Sequence, residues 1–214
     1  MVPQLFSSEV RHFLEWLDER GFRGVEFLSK GTTSLVFRAL LRNRKVVVKL
    51  ARPDSPRRNF SREAEIIRTI EHFKITPPLI EYGTFEGLDY IVRGFAEGRE
   101  ILRARLKRWH FFEIALKTAT LDRLGLDHGQ MQGGKHIIVG KTIWIIDFEK
   151  ANWRKPNNLT SAMSMIFVGK NAISEKIYED FGLDEGFREE MREALREYKR
   201  TGRLSPVLDV LSRL

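Results

Sequence analysis

The chain has 214 residues, of which 42% are hydrophobic and 31% are charged, a composition that supports a packed core and argues against disorder. It contains no cysteine, which excludes a disulfide-stapled secreted domain, a thiolate metal site and a cysteine nucleophile. The formal net charge of +8 would suit nucleic acid, nucleotide phosphates or an acidic partner, although a merely solvated basic surface would have the same composition.

The sequence shows no sign of a membrane segment. Its N-terminal stretch has no apolar core followed by a cleavage site, and no segment approaches the roughly 18 uninterrupted apolar residues that suggest a membrane-spanning helix. We therefore expect a cytoplasmic protein with no membrane span. Its positive charge recurs in three clusters, at 42–45, 52–58 and 99–109.

The first half of the chain predicts a helix followed by strands. Apolar residues recur at helical spacing before a stop at Gly21: Val10, Phe13, Leu14 and Leu17. Residues 25–51 are rich in valine and phenylalanine and are broken by two polar turns, which predicts a meander of three antiparallel strands. Residues 77–95 predict two more strands, with turns at Gly83 and Gly87.

The remaining pattern is mostly helical. Ser55 and Pro56 suit the N-cap and first position of a helix that extends to about residue 73. Further helices are predicted at 110–124, stopped by Gly125, and at 184–202, with a hairpin at 136–147. We expect an α+β fold with a sheet-bearing part, residues 1–97, and a helical part, residues 98–214.

Two features of the first part point to phosphate binding. The turn around Gly31 contains small and hydroxyl residues that would let backbone N–H groups approach an anion, although an ordinary hairpin turn would look the same. Lys49 ends a valine-rich strand, and Glu63 lies on an apolar helix face with Phe60 and Ile67. A buried carboxylate needs a partner, so we expect Lys49 to pair with Glu63, whether for structure alone or for binding.

The hairpin at 136–147 brings two candidate ligands together. A two-residue turn at Gly140 and Lys141 would pair Val139 with Thr142. Counting outward then places His136 and Asp147 on the same face as diagonal neighbours, with Lys135 on the other face. A slip of one residue in this register would separate them.

These pieces occur in the order found in protein kinase-like folds. The sequence resembles the small atypical kinases of the RIO, KEOPS and bacterial lipopolysaccharide types, from about residue 28 to residue 151. The resemblance implies a two-lobed fold with a five-stranded antiparallel sheet and one helix in the first lobe, and a reduced, mostly helical second lobe. No activation segment ending in Ala-Pro-Glu is present in the C-terminal third.

The resemblance implies a nucleotide site for ATP. The stretch Gly31 to Val36 resembles the nucleotide-covering loop, with Gly31, Thr32, Thr33, Ser34 and Val36 as candidate contacts and Ser29 and Ser34 replacing two glycines. Lys49 matches the strand lysine that contacts the α- and β-phosphates, and Glu63 matches its helix partner. Gly94, Phe95 and Ala96 resemble the segment between lobes whose backbone would meet the adenine.

The second half departs from the family pattern. Asp147 in Asp-Phe-Glu resembles the Mg²⁺ ligand, but the partner asparagine is replaced by Lys135 or His136, of which His136 is favoured. Imidazole suits Mn²⁺ or Zn²⁺ better than Mg²⁺. Gln130 stands where a carboxylate would accept the substrate proton, and glutamine cannot act as a base near neutral pH. Asp127 is an alternative base or a structural residue, and Lys135 would neutralise charge on the transferred group.

Three functions follow from this pattern. The first is an atypical serine/threonine protein kinase that transfers phosphate from ATP with Mg²⁺ or Mn²⁺. The second is a pseudokinase that binds nucleotide or a protein partner without efficient catalysis. The third, suggested only by charge, is a basic module that contacts nucleic acid or a ribonucleoprotein.

Overall fold

The computed structural model describes residues 6–55 and 60–214, and the chain divides after Phe95 into two compact units. The α+β class is confirmed, with seven α-helices in the described residues. In the part of the chain that the structure describes, no helix combines the length and the apolar character needed to cross a membrane.

The first unit is built on a five-stranded antiparallel sheet, as predicted. The sheet has the spatial order β1-β2-β3-β5-β4. Its strands are β1 (Phe22–Lys30), β2 (Ser34–Leu41), β3 (Arg44–Ala51), β4 (Leu79–Phe85) and β5 (Leu88–Gly94). The predicted meander therefore forms β1 to β3, and the two further strands form β4 and β5.

One predicted turn in this sheet is wrong. Gly83 lies inside β4 opposite Tyr90, where a β-carbon would lie 2.6 Å from the tyrosine hydroxyl. A glycine is needed there for this close approach and not for a change of direction. The turn lies at Glu86 and Gly87, both of which have positive φ angles.

Two helices belong to the first unit. The predicted N-terminal helix is α1 (Ser8–Glu19), whose apolar face is buried in one core with residues of the sheet. Helix α2 (Ser61–Ile70) begins later than predicted, and a 3-10 turn continues it to Phe73. Ser55 lies instead in a turn where its N–H donates to the Arg52 carbonyl, and Pro56 is outside the described residues.

The second unit is mostly helical, as predicted. Its helices are α3 (Arg108–Arg123), α4 (Asn158–Met163), α5 (Ala172–Phe181), α6 (Glu185–Thr201) and α7 (Ser205–Leu211), with a π-helical turn over Ser164–Val168. The predicted ends are confirmed for α3, which is followed by Gly125 with φ 73°, and for α6, whose N-cap Asp184 accepts the Phe187 N–H at 2.9 Å.

Short strands complete the second unit. They are β6 (Arg99–Glu100), β7 (Leu126–Asp127), β8 (Ile137–Val139), β9 (Ile143–Ile145) and β10 (Asn152–Trp153). Strands β6, β8 and β9 form one small sheet in that order, and β7 pairs with β10. These strands hold the two segments that the sequence marked as chemically important, around His128 and Asp147.

Candidate functional site

The first unit contains the predicted buried ion pair. Lys49 on β3 and Glu63 on α2 are joined by a hydrogen bond of 2.6 Å from Nζ to Oε2, and their side chains are only 8% and 3% exposed. The Phe60 ring lies 4.9 Å from the same ammonium. The pairing expected from the cost of a buried charge is therefore confirmed.

The candidate phosphate turn adjoins this pair in the sheet. Val36 on β2 is the register partner of Lys49, so the strand that leaves the turn runs beside the lysine. The Gly31 N–H closes the turn by donating to the Ser34 carbonyl at 2.8 Å. Gly31 and Thr32 are exposed, whereas Thr33 and Ser34 are buried. The accessible part of the turn is therefore residues 31 and 32.

Arg52 holds this turn from the end of β3, a role that the sequence pattern did not reveal. Its Nη1 donates to the carbonyls of Gly31 at 2.9 Å and Thr32 at 3.1 Å. Its Nε also donates to Asp54 at 2.8 Å, which fixes the plane of the guanidinium. Two carbonyls of the turn thus accept hydrogen bonds from the guanidinium, which fixes the conformation of the turn.

The candidate adenine-binding segment starts at the end of β5. The Gly94 N–H donates to the Pro78 carbonyl at 3.0 Å, and the Phe95 N–H donates to the Lys45 carbonyl at 3.2 Å. Both amides are therefore used within the first unit. Any adenine contact from these two residues would have to use their carbonyl groups, and Ala96 is the first residue of the second unit.

In the second unit, the register predicted for the hairpin is wrong by one residue. Strands β8 and β9 pair Ile137 with Ile145 and Val139 with Ile143, which leaves a three-residue turn at 140–142. The Ile146 N–H donates to the His136 carbonyl at 2.9 Å, so His136 lies opposite Ile146. The third turn residue, Thr142, bonds to Glu113 on α3, a contact from outside the hairpin that the local pattern does not contain.

His136 and Asp147 are nevertheless brought together. Asp147 has a positive φ of 69°, which ends the strand alternation and turns its side chain back. Its Oδ2 lies 3.6 Å from Nδ1 of His136, whose side chain is 7% exposed, whereas the Asp147 carboxylate is 35% exposed. The predicted proximity of His136 and Asp147 is confirmed, but it arises from the backbone turn at Asp147 and not from the predicted strand register.

His128 is a buried support for this pair. Its Nε2 lies 3.0 Å from the Ile146 carbonyl, which can only accept, so Nε2 carries the proton. Burial lowers the pKa of His128 to about 4, so the ring is neutral near pH 7. Its ring also lies edge-on to Phe148 at 4.8 Å. His128 thus contacts the residues on both sides of Asp147.

The three candidate catalytic residues lie in different surroundings. Asp127 on β7 is held by Arg154, with 2.7 Å from Nε to Oδ2, and also accepts the Gly129 N–H at 3.3 Å. These contacts favour the structural alternative for Asp127. Gln130 is half-buried, and Lys135 is exposed and forms no ion pair with any residue that the structure describes.

Asp122 and Asn158 position the loop around His128, and sequence reasoning missed both. The Asn158 side chain is fully buried, accepts the His128 N–H at 2.8 Å and donates to the Leu126 carbonyl at 2.8 Å. Asp122 accepts from the backbone and side-chain N–H groups of Asn158, from the Leu159 N–H and from the Tyr198 hydroxyl. Burial raises the pKa of Tyr198, and the Asp122 carboxylate raises it further. The one signal in the sequence was an asparagine within a polar stretch, and only the structure shows that it is buried.

The donor set fits Mg²⁺ only in part. One carboxylate, completed by nucleotide phosphates and water, is a usual way to hold Mg²⁺, and Asp147 meets that requirement. His136 offers nitrogen, which suits Mn²⁺ or Zn²⁺. Among the described residues, no three or more His, Asp or Glu side chains are grouped so that they could hold a metal ion. A metal ion at Asp147 would therefore need further ligands from nucleotide phosphates and water.

Comparison with known proteins adds a relative without an assigned activity. No protein-family model matches the chain. It is similar to Uncharacterized protein MJ1211 of Methanocaldococcus jannaschii, with 36% identity over 90 residues, which are 41% of this chain and 77% of the archaeal protein.

Proposed function

The chain belongs to the family of this archaeal protein, and we propose that it is an ATP-dependent phosphotransferase that acts as an atypical serine/threonine protein kinase. The observation that carries the proposal is the buried Lys49–Glu63 pair, 2.6 Å long, beside the Gly31 turn. A lysine that is buried with a carboxylate at the end of a strand is costly for stability alone, because hydrophobic residues of similar volume would serve as well.

The residues of the first unit would bind the phosphates of ATP. Glu63 holds the Lys49 ammonium in one position, and Phe60 packs against it. Arg52 keeps the Gly31 turn in one conformation, so the loop does not have to be ordered when the anion binds. Preorganised donors of this kind are the main protein contribution to phosphoryl transfer.

The residues of the second unit would hold the metal and the acceptor. Bound Mg²⁺ or Mn²⁺ would neutralise charge on the phosphates. Asp147 supplies the carboxylate ligand, and His136 and His128 support its position. Gln130 would hydrogen-bond the acceptor hydroxyl of a serine or threonine without removing its proton, which would pass to solvent or to the transferred phosphoryl group as ADP leaves. The rate would then depend on positioning and on charge, including that of the exposed Lys135.

A pseudokinase is the second candidate. The observation that favours it is the Asp127–Arg154 ion pair, because it engages the carboxylate that was the alternative base, three residues before Gln130. With that carboxylate engaged and glutamine in place of a base, nucleotide binding without transfer is the expected behaviour.

Two measurements on the same proteins test both candidates. ATP affinity and transfer of labelled phosphate are measured with Mg²⁺ and with Mn²⁺ for the wild type, Lys49→Met and Asp147→Asn. Arg44→Met is the matched control, since Arg44 is an exposed cation on the same strand. The kinase proposal expects transfer that is lost in both variants and kept in the control.

The remaining outcomes are also decisive. Binding that depends on Lys49 with no transfer in either metal would establish the pseudokinase. No ATP binding by the folded wild type would refute both candidates. Transfer that survives in Asp147→Asn would refute the assignment of the metal ligand.

A further inference from the structure

The second unit exposes a segment with strong positive charge, residues 99–109, which we call the basic segment. It contains one carboxylate, Glu100, and five exposed cations that form no ion pair with any described residue: Arg99, Arg103, Arg105, Lys107 and Arg108. The proposed phosphotransferase chemistry uses none of them. The segment is therefore a charged surface that still lacks a role.

Local backbone geometry directs the central cations outward. Ala104 and Lys107 have extended backbone angles, and the intervening Leu106 is only 8% exposed. Because side chains alternate along an extended chain, the burial of Ala104 and Leu106 sends Arg105 and Lys107 to the same, solvent-facing side. Their α-carbons are separated by roughly 6.6 Å along the chain at the usual rise of a strand.

An exposed indole adjoins these cations. Trp109 is 42% exposed, and its ring centroid lies 3.8 Å from that of His110. The His110 ring is fixed in turn, because its Nδ1 accepts the Lys107 N–H at 2.8 Å. The indole is therefore held against a buried ring while a large part of its surface faces solvent.

Several other cations of the second unit have carboxylate partners, which the basic segment lacks among the described residues. Three cations of α6 and the C-terminus are paired with glutamates: Arg192 with Glu189, Arg196 with Glu193 and Arg213 with Glu190. The basic segment leads directly into α3, and the first turn of α3 contains no acidic residue. The basic segment thus presents five cations without an ion-pair partner among the described residues, within eleven residues of the chain.

We propose that the basic segment binds single-stranded nucleic acid. Unpaired cations neutralise phosphates and release counterions, and an exposed, immobilised aromatic ring offers a stacking face for a base. An acidic protein would use the cations but would have no need for the indole. This proposal does not depend on the proposed phosphotransferase activity.

The test is binding of a fluorescently labelled, mixed-sequence single-stranded RNA of about 20 nucleotides to the full-length chain, followed by anisotropy as salt is raised. The variant Arg105→Ala/Lys107→Ala/Arg108→Ala should bind about tenfold or more weakly, and its salt slope should fall by about 2. The control Arg192→Ala/Arg196→Ala/Arg213→Ala removes the same charge from paired positions and should bind like the wild type.

The indole is tested separately. Trp109→Ala should weaken binding by roughly 5- to 100-fold, whereas Trp109→Phe should keep most of the affinity because a stacking face remains. Asp147→Asn should bind RNA like the wild type, so failure of this proposal is distinguishable from failure of the kinase proposal.

Three results would overturn the assignment. The first is no RNA binding by the folded wild type. The second is equal loss in the two triple variants, which would mean that only total charge matters. The third is competition by polyglutamate at equal charge concentration, combined with no effect of Trp109→Ala, which would indicate an acidic protein as the partner.

Discussion

Oδ2 of Asp147 lies 3.6 Å from Nδ1 of His136, although regular strand alternation would send the two side chains to opposite faces of the hairpin. The φ angle of 69° at Asp147 produces this approach. Such a conformation is unfavourable for most residues and is tolerated best by glycine, asparagine and aspartate. Aspartate therefore meets two requirements at this position, a carboxylate and a left-handed backbone.

Replacing His136 tests its influence on the metal. The change His136→Asn replaces the imidazole with an amide that can offer oxygen, which Mg²⁺ prefers. We expect the ratio of ATP affinity in Mn²⁺ to that in Mg²⁺ to fall by roughly tenfold, the size usual for residues that tune a metal site. An unchanged ratio, measured by titrating each metal at fixed ATP, would exclude His136 from the metal's surroundings.

Replacing Lys49 alone should destabilise the protein more than replacing both Lys49 and Glu63. Lys49→Met leaves the Glu63 carboxylate buried, and we expect a loss of about 3–5 kcal/mol in the free energy of unfolding. The double variant Lys49→Met/Glu63→Leu should recover most of this loss. Neither variant should bind ATP. Urea unfolding checks the prediction, which fails if the double variant is no more stable than the single one.

The turn around Gly31 should depend on Arg52 more than on Asp54. Arg52→Ala removes the hydrogen bonds to two turn carbonyls, and we expect ATP affinity to weaken by roughly tenfold, equivalent to about 1.4 kcal/mol. Asp54→Ala leaves those two bonds in place and should weaken ATP binding less. Calorimetric titration compares the two, and equal effects would contradict a direct role of the guanidinium.

Stability should decrease in mild acid because of His128. Its pKa is about 4 in the folded chain and about 6.5 when exposed, so the unfolded chain binds the proton more tightly. The resulting stabilisation, about 3 kcal/mol, is complete above about pH 6.5 and is lost as the pH falls towards 4.

The variant His128→Gln isolates this contribution. His110 also has a pKa lowered by burial, so both proteins will lose stability on acidification. The difference between them in the free energy of unfolding should shrink by a few kcal/mol between pH 6.5 and 4.5. A difference that stays constant over that range would refute the neutral, buried state of His128.

Among the residues that hold the loop around His128, we expect replacement of Asn158 to destabilise the protein more than replacement of Tyr198. Asn158→Ala leaves the His128 N–H and the Leu126 carbonyl buried without their partner, and we expect a loss of about 2–3 kcal/mol. Tyr198→Phe removes one hydroxyl bond to Asp122 and should cost about 1 kcal/mol. Equal losses in chemical denaturation would show that Asn158 does not act as a central connection.

Local patterns predicted α1, the five strands of the first unit, α3, α6 and the hairpin of β8 and β9, but not the other short helices and strands of the second unit. Helix α6 was predicted over 184–202, and the structure ends it with the Asp184 cap and Gly202; the meander follows from two polar turns between apolar runs. The Lys49–Glu63 pair was also predictable, because a carboxylate on an apolar helix face must find a cation. The start of α2 was predicted too early, because Ser55 lies in a turn closed by the Arg52 carbonyl and the helix begins at Ser61.

The composition and periodicity of the chain thus determined the α+β class, the five strands of the first unit and the burial of Lys49 and Glu63. Each of these depends on the pattern of residues within a few positions of one another. Only the tertiary structure decided the hairpin register, the hydrogen bonds from Arg52 to the Gly31 turn and the hydrogen bonds that connect Asp122 through Asn158 to His128. These contacts join residues that are distant in sequence or depend on a single backbone angle, as at Asp147. Their energies arise from close packing and hydrogen-bond geometry, which exist only once the chain is folded.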